Sequence, residues 1–288
     1  MADKTLTRIA ALLRKAEGTD NEHEASAYMA AAQRLATLES IDLAVARSHT
    51  AGIQQRAVPQ QRTISIGQSG KRGLGTYVQL FVAIARANEV TCDVARNSTF
   101  VYAYGFAADM DTCEALYSSL VVQMVGACER FLRSGQHKQE LTWGRDSRTG
   151  TLVRRPVHGV TARINFQNAF ALVIGERLAS ARERANREAE LRYSTNGRSG
   201  GDGGNGTEPG QVATAGPATS GVALAIREKE LEIKDFYSLR SQARGAWRGG
   251  TAGHSEASRR AGARAGRRAQ LGERSAIGGS RRAVGPGG

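Results

Sequence analysis

The stretch KAEGTDNEHEASAYM, residues 15–29, decides how the chain begins. It crowds Asp20, Glu22, His23 and Glu24 into five positions. Such a cluster is either an acid–base or metal site or the corner between two helices. Upstream, Leu6, Ile9, Ala10 and Leu13 keep the i, i+3, i+4, i+7 spacing of an amphipathic helix. Gly18 ends it, since glycine best takes the left-handed conformation past a helix terminus. Thr19-Asp20-Asn21-Glu22 then matches a capping box, and Asn21 with Glu24 offers a second register. Downstream, Ala25, Tyr28, Met29, Ala32, Leu35 and Ala36 form one helical stripe. The carboxylates thus fall on a first helical turn, where the dipole and the unpaired amides favour them. A zinc helix needs H-E-x-x-H, but Ala27 stands four residues after His23. The cluster reads as a corner, and residues 1–47 as a helical hairpin.

The residues of this corner also carry a resemblance. I-x-x-L-L-x-K-A (Ile9, Leu12, Leu13, Lys15, Ala16), then N-E-x-E-A (Asn21, Glu22, Glu24, Ala25), then A-Q-x-L (Ala32, Gln33, Leu35) resembles an uncharacterised bacterial and phage family. That family is domain of unknown function twenty-seven eighty-six. The close match covers the N-terminal hairpin. Looser likeness continues in Y-G-F-x-x-D from Tyr104 and in N-F-x-x-A-F from Asn165. The resemblance implies a hairpin followed by a mixed helix and strand domain, and a phage or mobile-element setting. It supplies no activity.

The middle of the chain, residues 62–193, reads as an α+β domain. TISIGQSGKRG has a glycine-rich look, but Ser65 replaces the first glycine of a phosphate loop and Arg72 replaces its metal-binding hydroxyl. It reads as a short strand near Ile64 and Ile66 followed by a turn. Tyr77, Leu80, Phe81, Ile84 and Ala85 mark a helix. Val90, Cys92 and Val94, then Phe100, Tyr102, Tyr104 and Phe106, alternate as a β-hairpin. Its aromatic face is expected to pack on the neighbouring helices rather than stack nucleobases. Asp109 and Asp111 are expected to cap a helix whose inward stripe runs from Cys113 through Leu116, Leu120 and Met124 to Cys128. From Ser134 to Arg163 the periodicity collapses into an expected basic loop holding Trp143, Arg145, Arg148, Arg154 and Arg155. A helix then buries Phe166, Phe170, Val173, Ile174 and Leu178.

Charge is concentrated at the far end. The 288 residues carry a net charge of +13, and from Arg240 onward eleven arginines face two acids, Glu256 and Glu273. Residues 194–220 read as a flexible linker. Beyond it, Val222-Ala223-Leu224-Ala225-Ile226 alternates and is expected to add a strand to the sheet. Residues 241–288 read as a Gly/Arg-rich disordered tail, in which Arg260, Arg264, Arg267 and Arg268 would share a face if helical. The fold class is α+β, mostly helical: hairpin, helices on a small antiparallel sheet, then the tail.

The charge points to a polyanion, and arginine forks suit phosphate. The expected function is a non-enzymatic, sequence-independent nucleic-acid-associated role through Trp143, Arg145, Arg148, Arg154 and Arg155 of the loop and Arg259, Arg260, Arg264, Arg267 and Arg268 of the tail. A phage or mobile-element adaptor, binding a host protein through the hairpin, is the alternative. An enzyme ranks below both, because the spacing of His137, His158, Asp109 and Glu176 specifies no mechanism. No cofactor or metal motif is present. Three cysteines without a C-x-x-C pair, no leader pattern and no run approaching roughly 18 to 20 apolar residues suggest a cytoplasmic protein with no membrane partner.

Overall fold

The computed structural model describes residues 4–5, 7–9, 11–12, 15, 22–49, 57–71, 73–145, 148–198 and 221–269. The described residues up to 15 are helical and precede helix α1 (Glu22–His49). The two segments lie side by side: Thr5 donates to Glu39 at 3.0 Å, and Ile9 is buried. The corner itself, with Gly18 and the capping-box residues Thr19 to Asn21, lies outside the described residues. Along α1, Ala32, Gln33, Ala36, Thr37 and Ile41 face inward.

The sheet follows. Strands β1 (Gln60–Ser65), β2 (Thr91–Val94) and β3 (Phe100–Gly105) pair antiparallel in the order β1-β3-β2. Ile64 and Val94 both lie opposite Val101, and Cys92 lies opposite Ala103. These residues form the inner face. Helices α2 (Leu74–Ala87) and α3 (Ala107–Arg133) cover it with Val78, Phe81, Ile84, Cys113, Leu116 and Leu120. The stripe read from Cys113 to Cys128 is therefore the buried face of α3. The aromatic row Phe100, Tyr102, Tyr104 lies on the opposite face, away from those helices, which corrects the expected packing. Period-2 alternation assigns residues to two faces but cannot say which face the helices choose. The small Val101 and Ala103 admit close helices, and they won.

After a 3-10 turn (Gln136–Gln139), strands β4 (Leu141–Arg145) and β5 (Leu152–Pro156) form a second, two-stranded sheet. The expected basic loop is thus a hairpin. Helix α4 (Gly159–Arg198) runs 40 residues and is the spine against which α1, α2, α3 and the later helices pack. It takes in residues 194–198 of the expected linker; 199–220 lie outside the described residues. Residues 222–226 belong to helix α5 (Gly221–Arg240), not to a strand, and β1 supplies the third strand instead. Ala225, Lys229 and Ile233 recur every four residues on the buried side. A lysine at the centre of that stripe hides the helical period.

Lys229 is the centre of an ionic knot that joins five elements. Its ammonium lies 2.6 Å from Glu89, at the end of α2, and 2.8 Å from Asp109 in the first turn of α3. It also donates to Ser40 of α1, and Arg182 of α4 donates to Glu89. Lys229 is 4% exposed. Burial raises the Asp109 carboxyl above its ordinary value, and the Lys229 ammonium pulls it back in part. Asp109 therefore caps nothing; Asp111, also expected to cap, pairs with Arg62 at 2.6 Å. The cysteines are core residues. Burial pushes Cys92 up to about 12 and Cys128 to about 11, so neither is a thiolate nucleophile near neutral pH.

Removing one partner of a buried ion pair strands the other charge, at a cost of about 3–5 kcal/mol. Lys229→Met should lose stability on that scale in urea melts. Adding Asp109→Asn to it should recover part of the loss, because one orphaned carboxylate is then gone. A neutral Lys229→Met would refute the knot.

Candidate nucleic-acid interface

The hairpin β4–β5 places its charges by register. Trp143 lies opposite Arg154, and Arg145 opposite Leu152. Because strand neighbours alternate faces, Leu141, Trp143, Arg145, Leu152, Arg154 and Pro156 share one face. All six are exposed, Trp143 at 66%. The Arg154 guanidinium sits over the Trp143 ring, 5.9 Å from its centroid. Arg155 is exposed on the other face and Arg148 in the turn. A lone hairpin is marginal. This one is anchored at its base, where the buried Val157 donates its amide to the Glu140 carbonyl at 3.0 Å.

The second basic element is helix α6 (Glu256–Arg268). Ser258, Ala261, Gly262 and Gly266 face inward, while Arg259, Arg260, Arg264, Arg267 and Arg268 are exposed. Of the tail expected to be disordered, residues 241–269 are therefore ordered against the body, and 270–288 lie outside the described residues. The cause is Gly262 and Gly266. A Cβ on Gly262 would run into the Phe166 carbonyl of α4 and lie 2.9 Å from its Cα; one on Gly266 would lie 3.0 Å from the Phe170 carbonyl oxygen. Missing side chains let the two backbones meet, and Ala261 joins Phe166 and Cys128 in an apolar cluster. The small-xxx-small spacing, familiar from membrane helices, does the same work here in a charged helix.

Both ends of α6 are held. Glu140, the residue before β4, accepts from the Ser255 hydroxyl at 2.7 Å, the Glu256 amide at 2.8 Å and the Ala257 amide at 3.1 Å. Burial alone would raise the Glu140 carboxyl, but these three hydrogen bonds outweigh it and bring it below its ordinary value. At the other end Arg177 of α4 donates to the Gly266 carbonyl at 2.6 Å. One carboxylate thus ties the base of the hairpin to the start of the arginine helix. The ten residues expected to bind lie on the hairpin and on α6, and sequence reading missed Glu140 and Arg177, which hold α6 in place. The capping signal of Glu140 comes from 116 positions away in sequence, and no local pattern carries it.

The four enzyme candidates do not converge. Asp109 is in the ionic knot. His137 is buried beside Phe131, and burial lowers it, with Lys138 and His158 adding to the shift. His158 accepts the Val160 amide at the start of α4, and Glu176 is exposed on that helix. Among the described residues no group of three or more His, Cys, Asp or Glu is arranged to hold a metal ion. No helix among them is long and apolar enough to cross a membrane.

The N-terminal segment docks through its glutamine. The buried Gln33 amide donates to Asn88 at 3.1 Å, just past α2, and to Thr37 at 3.3 Å. Residues 4–43 match the family model described as protein of unknown function (DUF2786). Within this family segment Ile9, Ala32 and Ala36 belong to the same apolar core as α2, α3 and α4. Neither a curated protein nor a solved structure matches the chain.

Two substitutions probe the clasp. Alanine is about 1 kcal/mol better than glycine inside a helix, so Gly262→Ala should stabilise unless the backbone contact is real. We expect a lower Tm, with a smaller loss for Gly266→Ala, in thermal melts. Glu140 has a lowered folded value, so its contribution is present above the ordinary glutamate value of 4.5 and fades as pH falls through the folded value. Glu140→Gln should lower stability at neutral pH and remove that part of the acid sensitivity.

Proposed function

We propose that the protein binds nucleic acid through phosphates, without sequence preference, using the hairpin and α6 as one surface. The observation that carries this reading is an arginine helix fixed at both ends, with Arg259, Arg264 and Arg267 exposed and in no ion pair among the described residues. Arg260 pairs with Glu256 at 2.8 Å. A fixed array loses less conformational entropy on binding than a flexible one. Guanidinium forks favour phosphate oxygens, and the exposed Trp143 offers a ring for an unpaired base. Nothing in this arrangement selects base edges, so affinity would come from charge. The reading is of a non-enzymatic accessory protein. A host or phage protein docking on the N-terminal hairpin would have to use its outer face, because Ile9, Ala32, Ala36 and Ile41 are buried.

Deleting the C-terminal region would be a poor test, since it takes Ala261 away from the Phe166 and Cys128 cluster. Charge removal in place is cleaner. Binding to duplex DNA should weaken as salt rises, with a log–log slope near −5 if about six phosphates are engaged. Combining Arg259→Ala, Arg264→Ala and Arg267→Ala should flatten the slope by about 2 to 3, at roughly 0.9 per lost phosphate contact. No binding by the full chain at low salt would overturn the proposal.

A further inference from the structure

The outer face of the three-stranded sheet is not fully covered. Tyr104 is closed over by Tyr237 and Phe236 of α5, with ring centroids 5.1 and 6.4 Å away. Toward the β2–β3 turn that cover ends. Phe100 and Tyr102 remain half-exposed, edge to face with centroids 5.0 Å apart. They floor an open groove of ≈ 900 Å³, bounded by the turn at Arg96 and Asn97 on one side and by Arg240 and Gln242 on the other. That volume is within the range of small-ligand clefts, and an aromatic floor with a few polar groups is their usual lining.

The charges around the groove are unequal. Its one carboxylate, Asp93, is buried and occupied on both oxygens: Tyr237 donates to one at 2.7 Å and Ser241 to the other at 2.6 Å. The two rim cations are exposed. Arg240 lies over the Phe236 ring at 5.8 Å, and Arg96 stands on the turn. The groove therefore offers aromatic rings below and, on each side, a cation with an amide: Arg96 with Asn97, and Arg240 with Gln242.

We infer that this groove takes a base of single-stranded nucleic acid, stacked on Tyr102, with the strand's phosphates near Arg96 and Arg240. The floor fits a planar ring, the rim fits an anion, and a nucleotide is both. An open groove passes a strand, whereas a duplex keeps its bases stacked inside and cannot present one to Tyr102. Aromatic residues on sheets bind unpaired bases in this way, with little sequence preference. The inference rests on the nucleic-acid reading above and adds a strand-selective site to it.

The test is fluorescence anisotropy of a short labelled oligothymidylate and of a short labelled duplex, with full-length wild type, Tyr102→Ala, Tyr102→Phe and Arg96→Glu. Tyr102→Ala should weaken oligothymidylate binding about tenfold, the scale of one lost stacked base, and leave duplex binding unchanged. Tyr102→Phe should bind as wild type, because the ring remains. Arg96→Glu, on an exposed turn, should weaken strand binding without touching the sheet. Unchanged oligothymidylate affinity in both Tyr102→Ala and Arg96→Glu overturns the groove and leaves the arginine surface standing. Strand binding that survives loss of the α6 arginines but not Tyr102→Ala supports the groove and overturns the arginine reading. Wild type that binds neither probe overturns both.

Discussion

Helix α6 can lie on α4 only because two of its residues have no side chain. Gly262 and Gly266 bring its backbone against the carbonyls of Phe166 and Phe170, and everything about the basic surface follows. Close approach buries Ser255 and Ser258 completely, which forces their hydroxyls to find partners inside the protein. Ser255 finds Glu140. That carboxylate is at the foot of the hairpin, so the requirement of one helix start fixes the position of a second element. The arginines then occupy the remaining surface of α6 by geometry alone, because a 3.6-residue period puts 260, 264 and 267 opposite 258, 262 and 266, with 259 and 268 on the two flanks.

The ionic knot plays a comparable part on the other side of α4. Two acids and two cations from the ends and flanks of four elements, with Ser40 from a fifth, are brought into one low-dielectric place. Apolar residues of similar volume would hold these elements as well or better. What charges add is discrimination: Lys229 has only one environment in which both of its carboxylates and Ser40 are present. This suits α5, whose apolar stripe is thin and would tolerate sliding along α1 and α4 without a fixed point. Gln33 does the same for the family segment by its pairing with Asn88.

Legibility in the sequence followed the strength of the local pattern. The α3 stripe from Cys113 to Cys128 stood out because apolar residues fill its buried positions, and the alternation in β2 and β3 because Cys92, Val94, Val101 and Ala103 make one apolar face. Helix α5 did not, because a lysine occupies its most buried turn and V-A-L-A-I satisfies both periods over five residues. The hairpin at 141–156 was hidden for the opposite reason: its exposed face carries leucine, tryptophan and arginine together, so polarity does not mark the faces. The shared arginine face of α6 was readable, but its order was not, because glycine lowers helix propensity while enabling the contact that outweighs it. The candidate arginines and Trp143 were thus chosen by residue type alone. The carboxylate and the guanidinium that hold them, at Glu140 and Arg177, act across distances no local window spans.

The C-terminal position of α6 also has a consequence for synthesis. The carbonyl that Arg177 grips belongs to a residue 89 positions later in the chain. At ordinary elongation rates of about 5–20 residues per second, α4 therefore waits roughly 4 to 18 s on the ribosome before α6 can cover the Phe166 side of its surface. During that interval the nascent chain leaves the small cluster of Phe166 and Cys128 without Ala261 to close it. A holdase-type chaperone has a natural target there, and the yield of folded protein should depend on how fast translation passes the codons between α4 and α6.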